Sequence, residues 1–338
     1  MKKLIKKLVE TYGPSGSEGG IASLIASEIK PYVDKIEIDN MGNLICLKKA
    51  SRTTNNKRDI KRVMFAAHMD EIGLVVTYID DNGFLRFGAV GGVRPVILLG
   101  ERVKFGNGTI GVLGIEKTED IRDAKFSKMY IDIGANNREE AEKLVQIGSF
   151  ASYDREFSDL GDKLTSKSMD NRVSCATLIE AAKKTTTPSN DIYFVFTSQE
   201  EVGLRGAKVS AFSIDPHIGI ACDVTACGDT PNAEHMSVKL GGGAAIKVKD
   251  ASVICHIGIK NLIVEVARRE KIQYQMEVLE WGGTDAGAIS LNRSGVPSGA
   301  ISIPCRYIHS PSEMVDINDV KAAVELIFAL TKETFDDI

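Results

Sequence analysis

Two adjacent glutamates, Glu200 and Glu201, follow an apolar run that is typical of a buried β-strand. Like charges repel, and the end of a strand in an α/β fold is often partly buried, so neighbouring carboxylates are unfavourable there unless a positive charge compensates them. A metal ion would supply that charge. The pair therefore suggests a metal site, for which the rest of the chain must provide further ligands.

Other side chains that bind metals well stand in comparable positions. His68 and Asp70 follow a second apolar run and, being two residues apart on a strand, point to one face. Asp170 precedes a predicted helix, Asp223 follows a third apolar run, and His309 follows a fourth. Because ligand sites in open α/β sheets lie beyond the carboxyl ends of strands, we expect these side chains to gather at one edge.

Each of these residues also has an ordinary structural explanation when it is taken alone. Asp170 fits a helix N-cap, Asp223 fits a turn cap, and a lone histidine at a strand end is more often structural than a ligand. Taken together, imidazole and carboxylate ligands suit Zn, Co or Mn. Two metals that share a bridging carboxylate need about five such ligands, which this set supplies.

The elements that must position these residues alternate between helix and strand. An early helix is predicted after the capping-type residues Ser15 and Ser17, and residues 62–67 form a continuous apolar strand. After residue 70 the pattern changes to short β-like runs separated by glycine turns, including Gly91-Gly92, until alternation returns near residue 167. We therefore predict an α/β domain formed by residues 1–70 and 163–338, interrupted by an inserted β-rich barrel or sandwich at residues 71–162.

The composition argues against several other classes of protein. The chain is 43% hydrophobic and 26% charged with a net charge of −4, so we predict a globular protein with no nucleic-acid partner. Lysines near the amino terminus interrupt the apolar stretch that a signal peptide would need. No run approaches the ~20 apolar residues of a membrane-spanning helix. We therefore predict a cytoplasmic protein without a membrane partner, and a solvated loop over the basic residues 48–62.

The sequence resembles the M42 family of dinuclear-metal aminopeptidases, which includes the tetrahedral and glutamyl aminopeptidases. The resemblance rests on motifs that occur in order along nearly the whole chain: AAHMDEIGLVV, KSMDNR, TSQEEVGLRGA, ACDVT, GGTDAGAIS and IHSPSEMV. It implies a zinc-peptidase-like α/β/α sandwich that carries an inserted PDZ-like all-β domain. It also implies short peptide substrates and homo-oligomers, dodecamers among them, assembled through the inserted domain.

The resemblance further implies a role for each residue of the site. Two divalent metal ions would be bound per subunit, Zn or Co first and Mn as an alternative. The implied ligands are His68 and Asp223 for one ion, Glu201 and His309 for the other, and Asp170 as a bridge. Glu200 would be the general base for a metal-bound hydroxide that attacks the peptide, and Asp70 would orient His68.

Several alternatives stay open at this point. The same metal chemistry would serve a deacylase or other amidohydrolase acting on small metabolites. A glycosidase needs two carboxylates and no metal, which the histidines argue against, and the complete ligand set argues against a non-catalytic binding protein. The glycine-rich residues 282–290 either line the substrate pocket or place Thr284 or Asp285 as a helix cap.

Overall fold

The computed structural model describes residues 1–51, 60–118, 120, 122, 124–336 and 338. The basic loop predicted over residues 48–62 lies mostly outside these described residues. No helix in the described part of the chain is long and apolar enough to cross a membrane.

The described strands belong to two sheets, one large and one closed. The strands are β1 (Lys35–Ile38), β2 (Leu44–Lys48), β3 (Arg62–His68), β4 (Gly73–Ile79), β5 (Leu85–Val90), β6 (Arg102–Phe105), β7 (Ile110–Ile115), β8 (Met129–Asp132), β9 (Phe150–Tyr153), β10 (Ser158–Leu160), β11 (Lys163–Ser166), β12 (Asp191–Thr197), β13 (Ile218–Thr225), β14 (Ala244–Lys249), β15 (Tyr274–Val278), β16 (Ser298–Arg306) and β17 (Glu313–Asp316). Strands β4 to β9 close into a barrel, and the others form an eleven-stranded mixed sheet.

The centre of the large sheet is parallel, in the order β12-β3-β13-β16. In the register of β12 with β3, Thr197 pairs with His68, so these two strands end side by side. Every residue of β13 is buried, as expected for a central strand covered on both faces. The carboxyl ends of the four strands therefore form one edge, where the loops that follow them meet.

Helices cover both faces of this sheet. They are α1 (Lys2–Glu10), α2 (Gly19–Ile29), α3 (Arg138–Leu144), α4 (Met169–Lys184), α5 (Arg205–Ile214), α6 (Ile257–Arg269), α7 (Asp285–Ser290) and α8 (Ile317–Leu330). In β3, Phe65 packs into the core that contains α1, α2, α4, α6 and α8, whereas Met64 packs into the core that contains α5 and α7. This alternation follows from the two-residue period of a strand. The predicted mixed α/β fold is confirmed.

The β-rich segment has a separate apolar core. Its strands pair in the order β4-β5-β8-β7-β6-β9, and β9 pairs back with β4 to close the barrel. Side chains such as Leu74, Leu85 and Ile131 fill the interior. The structure thus shows a closed barrel where the sequence left barrel and sandwich open. Strand β10, which follows the barrel, pairs with β11 in the large sheet.

Candidate metal centre

Two groups of side chains direct potential ligand atoms towards one another at the carboxyl edge of the large sheet. The ligand atoms within each group lie within 4.8 Å of one another. The first group is His68, Asp170 and Asp223, and the second is Asp170, Glu201 and His309. The structure therefore brings together all five residues that the sequence pointed to as metal ligands, and Asp170 belongs to both groups.

Asp170 turns one oxygen towards each histidine. His68 Nε2 lies 3.1 Å from Asp170 Oδ1 and 3.7 Å from Asp223 Oδ1. His309 Nε2 lies 3.4 Å from Asp170 Oδ2 and 3.1 Å from Glu201 Oε2. Asp170 has non-helical backbone angles at the start of α4, and its carboxylate faces the histidines instead of capping the helix. This is the placement of a carboxylate that can bridge two cations.

The electrostatics of the centre fit divalent cations. Burial raises the pKa of Asp223, Glu200 and Glu201 above their usual values, because a carboxylate loses its hydration there. Glu201 Oε1 is buried and has no hydrogen-bond partner among the described residues. Cations between the two groups would compensate these charges and occupy that oxygen, and the imidazole and carboxylate donors suit Zn, Co or Mn.

Asp70 links His68 to the adjacent glutamates. Its Oδ1 accepts the backbone N–H of Glu200 at 3.0 Å, and its Oδ2 accepts that of Glu201 at 3.2 Å. His68 Nδ1 lies 3.4 Å from Asp70 Oδ1, and the ring thereby presents Nε2 to Asp170. The Ser15 hydroxyl, which the sequence suggested as a helix cap, donates instead to Asp70 Oδ2 at 2.6 Å. Asp70 thus holds the loop that carries the glutamates through its carboxylate, and it holds His68 through its backbone oxygen, 3.2 Å from Nδ1, together with Oδ1.

Glu200 faces the same centre but belongs to neither ligand group. Its Oε2 lies 3.8 Å from His68 Nε2, and its side chain is 11% exposed. The two adjacent glutamates therefore point to different partners, Glu201 to His309 and Glu200 to the open space beside His68. One carboxylate of the pair can bind a metal while the other stays available for proton transfer.

Glu313 holds the backbone of two candidate ligands, a role that the sequence did not reveal. Its Oε2 accepts the N–H of Asp170 at 2.8 Å, and its Oε1 accepts the N–H of His309 at 2.7 Å. The side chain is 2% exposed. Its position four residues after His309 is the only signal in the sequence, and spacing alone does not reveal a bond to a residue more than a hundred positions away.

We expect Glu313→Gln to weaken metal binding about 10–100-fold, the usual loss when a residue that orients metal ligands is changed. The amide retains one oxygen but turns an NH₂ group towards the second backbone N–H, so Asp170 and His309 cannot both keep their positions. A competition titration against a metal-binding indicator measures the affinity. Glu265→Gln, at an exposed position on α6, is the control; equal affinities in the two folded variants would contradict the role of Glu313.

The barrel contacts the second ligand group through the Gly91-Gly92 turn. A Cβ placed on Gly92 would lie 2.4 Å from Nδ1 of His309. A Cβ placed on Gly91 would lie 3.1 Å from Cβ of Glu201, and the φ of +77° at Gly91 also favours glycine. The sequence marked these glycines only as a turn, whereas the structure shows that they leave room for two ligands.

Gly92→Ala is accordingly expected to displace the His309 ring and lower the affinity for metal, with little effect on folding. The matched control is Gly88→Ala on β5, where the nearest atom to the added Cβ lies at 3.7 Å, an ordinary contact. Metal affinity and melting temperature should be measured for both. A Gly92→Ala protein that binds metal as tightly as Gly88→Ala would show that the turn does not position His309.

A cavity of about 330 Å³ lies over the two ligand groups. Leu204, Leu279 and Trp281 contribute apolar walls, and Lys247 lines it with an ammonium group paired with Glu277. Gly282 and Gly283 also line the cavity, while the Thr284 hydroxyl accepts the N–H of Ala286 and caps α7. Residues 282–290 therefore both line this cavity and cap α7, and the cavity's use as a substrate pocket stays a prediction. Asp285 instead accepts a hydrogen bond from Thr197 at 2.5 Å.

Comparison with known proteins places this chain in a family. The family model for M42 glutamyl aminopeptidases matches residues 42–326. A provisionally named aminopeptidase of Acetivibrio thermocellus is 53% identical over 328 residues, which cover 97% of each chain.

Solved structures agree with the sequence comparison. An aminopeptidase from the archaeon Desulfurococcus kamchatkensis superposes with a TM-score of 0.93 and 39% identity, over 98% of this chain and 94% of its own. The TET1 peptidase of Pyrococcus horikoshii, which can assemble into a tetrahedron or a large octahedral shell, gives a TM-score of 0.88 and 35% identity, over 98% of this chain and 99% of its own. The chain is thus a member of the M42 glutamyl aminopeptidase family and, with it, a peptide hydrolase of the aminopeptidase class.

Proposed function

We propose that this protein is a dinuclear-metal aminopeptidase that removes amino-terminal residues from short peptides. The observation that carries the proposal is the pair of ligand groups that share Asp170, with Glu200 beside them and outside both groups. His68 and Asp223 would hold one divalent ion, and Glu201 and His309 would hold the other. Zn or Co is the expected metal, with Mn as an alternative.

Bound at these residues, the two cations would polarise the scissile carbonyl group and lower the pKa of a water molecule towards ~7. Glu200 would act as the general base, since its Oε2 faces the centre without belonging to a ligand group. It would accept the proton of the attacking water and return it to the nitrogen of the leaving amine. Asp70 would support this step indirectly, because it accepts the backbone N–H of Glu200 and orients His68.

We also propose the division of the chain into a catalytic domain of residues 1–70 and 163–338 and an inserted domain of residues 71–162. The separate core of the barrel supports this division. From the resemblance to M42 enzymes we further propose that the catalytic domain is a zinc-peptidase-like α/β/α sandwich. We also propose that the inserted barrel is a PDZ-like domain. A cytoplasmic location stays a prediction.

A homo-oligomer is part of the proposal. The similar TET1 peptidase can assemble into a tetrahedron or a large octahedral shell, and the β-rich segment of this chain exposes large apolar side chains, among them Val96 and Ile147. Assembly through the barrel would bury side chains of this kind. Sedimentation or light scattering would give the number of subunits, for which a dodecamer is the expected value.

The experiment that tests the function is hydrolysis of a panel of aminoacyl-p-nitroanilides, with matching N-acyl amino acids as the competing substrates. Activity should be lost after EDTA treatment and should return when Zn, Co or Mn is added. Cleavage of the N-acyl compounds alone would favour the alternative of a metal-dependent deacylase or amidohydrolase. Activity that resists chelation would contradict a metal mechanism.

A further inference from the structure

A second cavity of about 360 Å³ adjoins the metal centre. The residues that line both this cavity and the metal cavity are Ala226, Trp281, Ile308 and His309. The two spaces therefore meet beside the second ligand group. The barrel contributes Gly92 and Arg94 to the lining of this second cavity, and the end of β16 contributes Arg306.

We propose that this second cavity binds the part of the peptide that follows the scissile bond, and that Arg94 binds a carboxylate in that part. The inference rests on the proposed aminopeptidase function. The carboxylate is either the carboxyl terminus of a short peptide or an acidic side chain near the cleaved bond.

The geometry requires two spaces that meet at the metals. An aminopeptidase holds the first residue of its substrate on one side of the scissile carbonyl, and the remaining chain must leave on the other side. The metal cavity contains Glu200 and the apolar walls of Leu204 and Leu279, which suit the first side chain. The second cavity shares His309 but does not contain Glu200, so it lies on the side where the rest of the chain can extend.

The charges in the two cavities single out Arg94. Arg306 is already paired with Asp229 through bonds of 2.8 and 2.7 Å. Lys247, the cation in the metal cavity, is paired with Glu277. Arg94 is exposed, and among the described residues its guanidinium has no ion pair. Guanidinium presents a planar set of donors that matches a carboxylate, so among the described residues that line the two cavities Arg94 is the cation available to bind an incoming anion.

The test uses three substrates that share the amino-terminal residue preferred in the anilide panel. They are a tripeptide ending in Gly-Gly with a free carboxyl terminus, its carboxyl-terminal amide, and an amide in which Asp replaces the last Gly. The metal-loaded wild type should have a kcat/KM about tenfold higher for a carboxylate-bearing substrate than for the neutral amide, the size of one charge-assisted hydrogen bond. Arg94→Ala should remove that preference. Arg102→Ala, which changes an exposed arginine on β6 of the same barrel, is the matched control and should keep it.

Binding provides a readout that does not depend on turnover. Gly-Gly and its amide should be titrated by calorimetry into the Glu200→Gln protein with and without Arg94→Ala. A preference for free Gly-Gly that disappears with Arg94 supports the inference and identifies the carboxyl terminus as the source. In the kinetic series, a preference seen only with the Asp-containing amide supports the inference with the side chain as the source, and Gly-Gly and its amide should then bind equally.

Two results would overturn the inference. One is a wild type that cleaves all three substrates with equal kcat/KM, and the other is an Arg94→Ala protein that retains the preference. Either result leaves the aminopeptidase proposal intact, because the peptides are still hydrolysed. A wild type that cleaves no peptide or anilide under any metal would instead remove the proposed function, and this inference with it.

Discussion

Glu200→Gln is expected to bind as much metal as the wild type while its kcat falls by about 10²–10⁴-fold, the usual contribution of a general base. Glutamine has nearly the same shape as glutamate but cannot accept a proton at neutral pH. Because Glu200 belongs to neither ligand group, its substitution leaves the donors of both groups in place. Metal analysis per subunit and steady-state kinetics on the same preparation measure the two effects.

The neighbouring residue provides a matched comparison. Glu201→Gln makes the same chemical change one position along the chain, but Glu201 Oε2 lies 3.1 Å from His309 Nε2 within the second ligand group. This variant should lose metal as well as activity. If Glu200→Gln retained wild-type turnover when fully metallated, Glu200 would not be the base. If both variants lost metal equally, the assignment of different roles to the two glutamates would be wrong.

His309→Ala is expected to reduce the metal content from two ions per subunit to one and to abolish most of the activity. Changing a residue that only orients a ligand weakens metal binding about 10–100-fold, and removing a ligand itself should exceed that range. The first group retains His68, Asp170 and Asp223, so one ion should stay bound.

A histidine outside the site serves as the control for this variant. His235 is exposed and belongs to neither ligand group, so His235→Ala should keep both ions and the wild-type activity. Metal content should be measured by mass spectrometry after dialysis against metal-free buffer. Two ions per subunit in His309→Ala would show that this histidine is not a ligand.

The sequence predicts the location of the candidate ligands well because strand ends are local features. Apolar runs identify β3, β12 and β13, and a parallel sheet must bring the carboxyl ends of such strands together. His68 and Thr197 are direct neighbours in the register, which places Glu200 and Glu201 close to His68. The end positions of these strands are therefore enough to infer that the residues meet.

The supporting bonds are not predictable in the same way, because they join segments that are distant in the sequence. Asp70 binds the N–H groups of two residues that follow another strand, and Glu313 binds that of Asp170 across the site. The contact of Gly92 with His309 depends on how the barrel packs against the large sheet. Periodicity and turn signals identify elements, but they carry no information about which individual groups in two distant loops bond to each other.

The most direct test of the account is the number of metal ions per subunit that restores activity to the chelated wild type. Zn or Co should be added in steps, with bound metal and aminoacyl-p-nitroanilide hydrolysis measured at each step. We predict that full activity requires two ions per subunit, and that Asp170→Asn, which alters the only residue shared by the two ligand groups, binds both ions more weakly. Full activity with a single ion, or with none, would contradict a dinuclear centre bridged by Asp170.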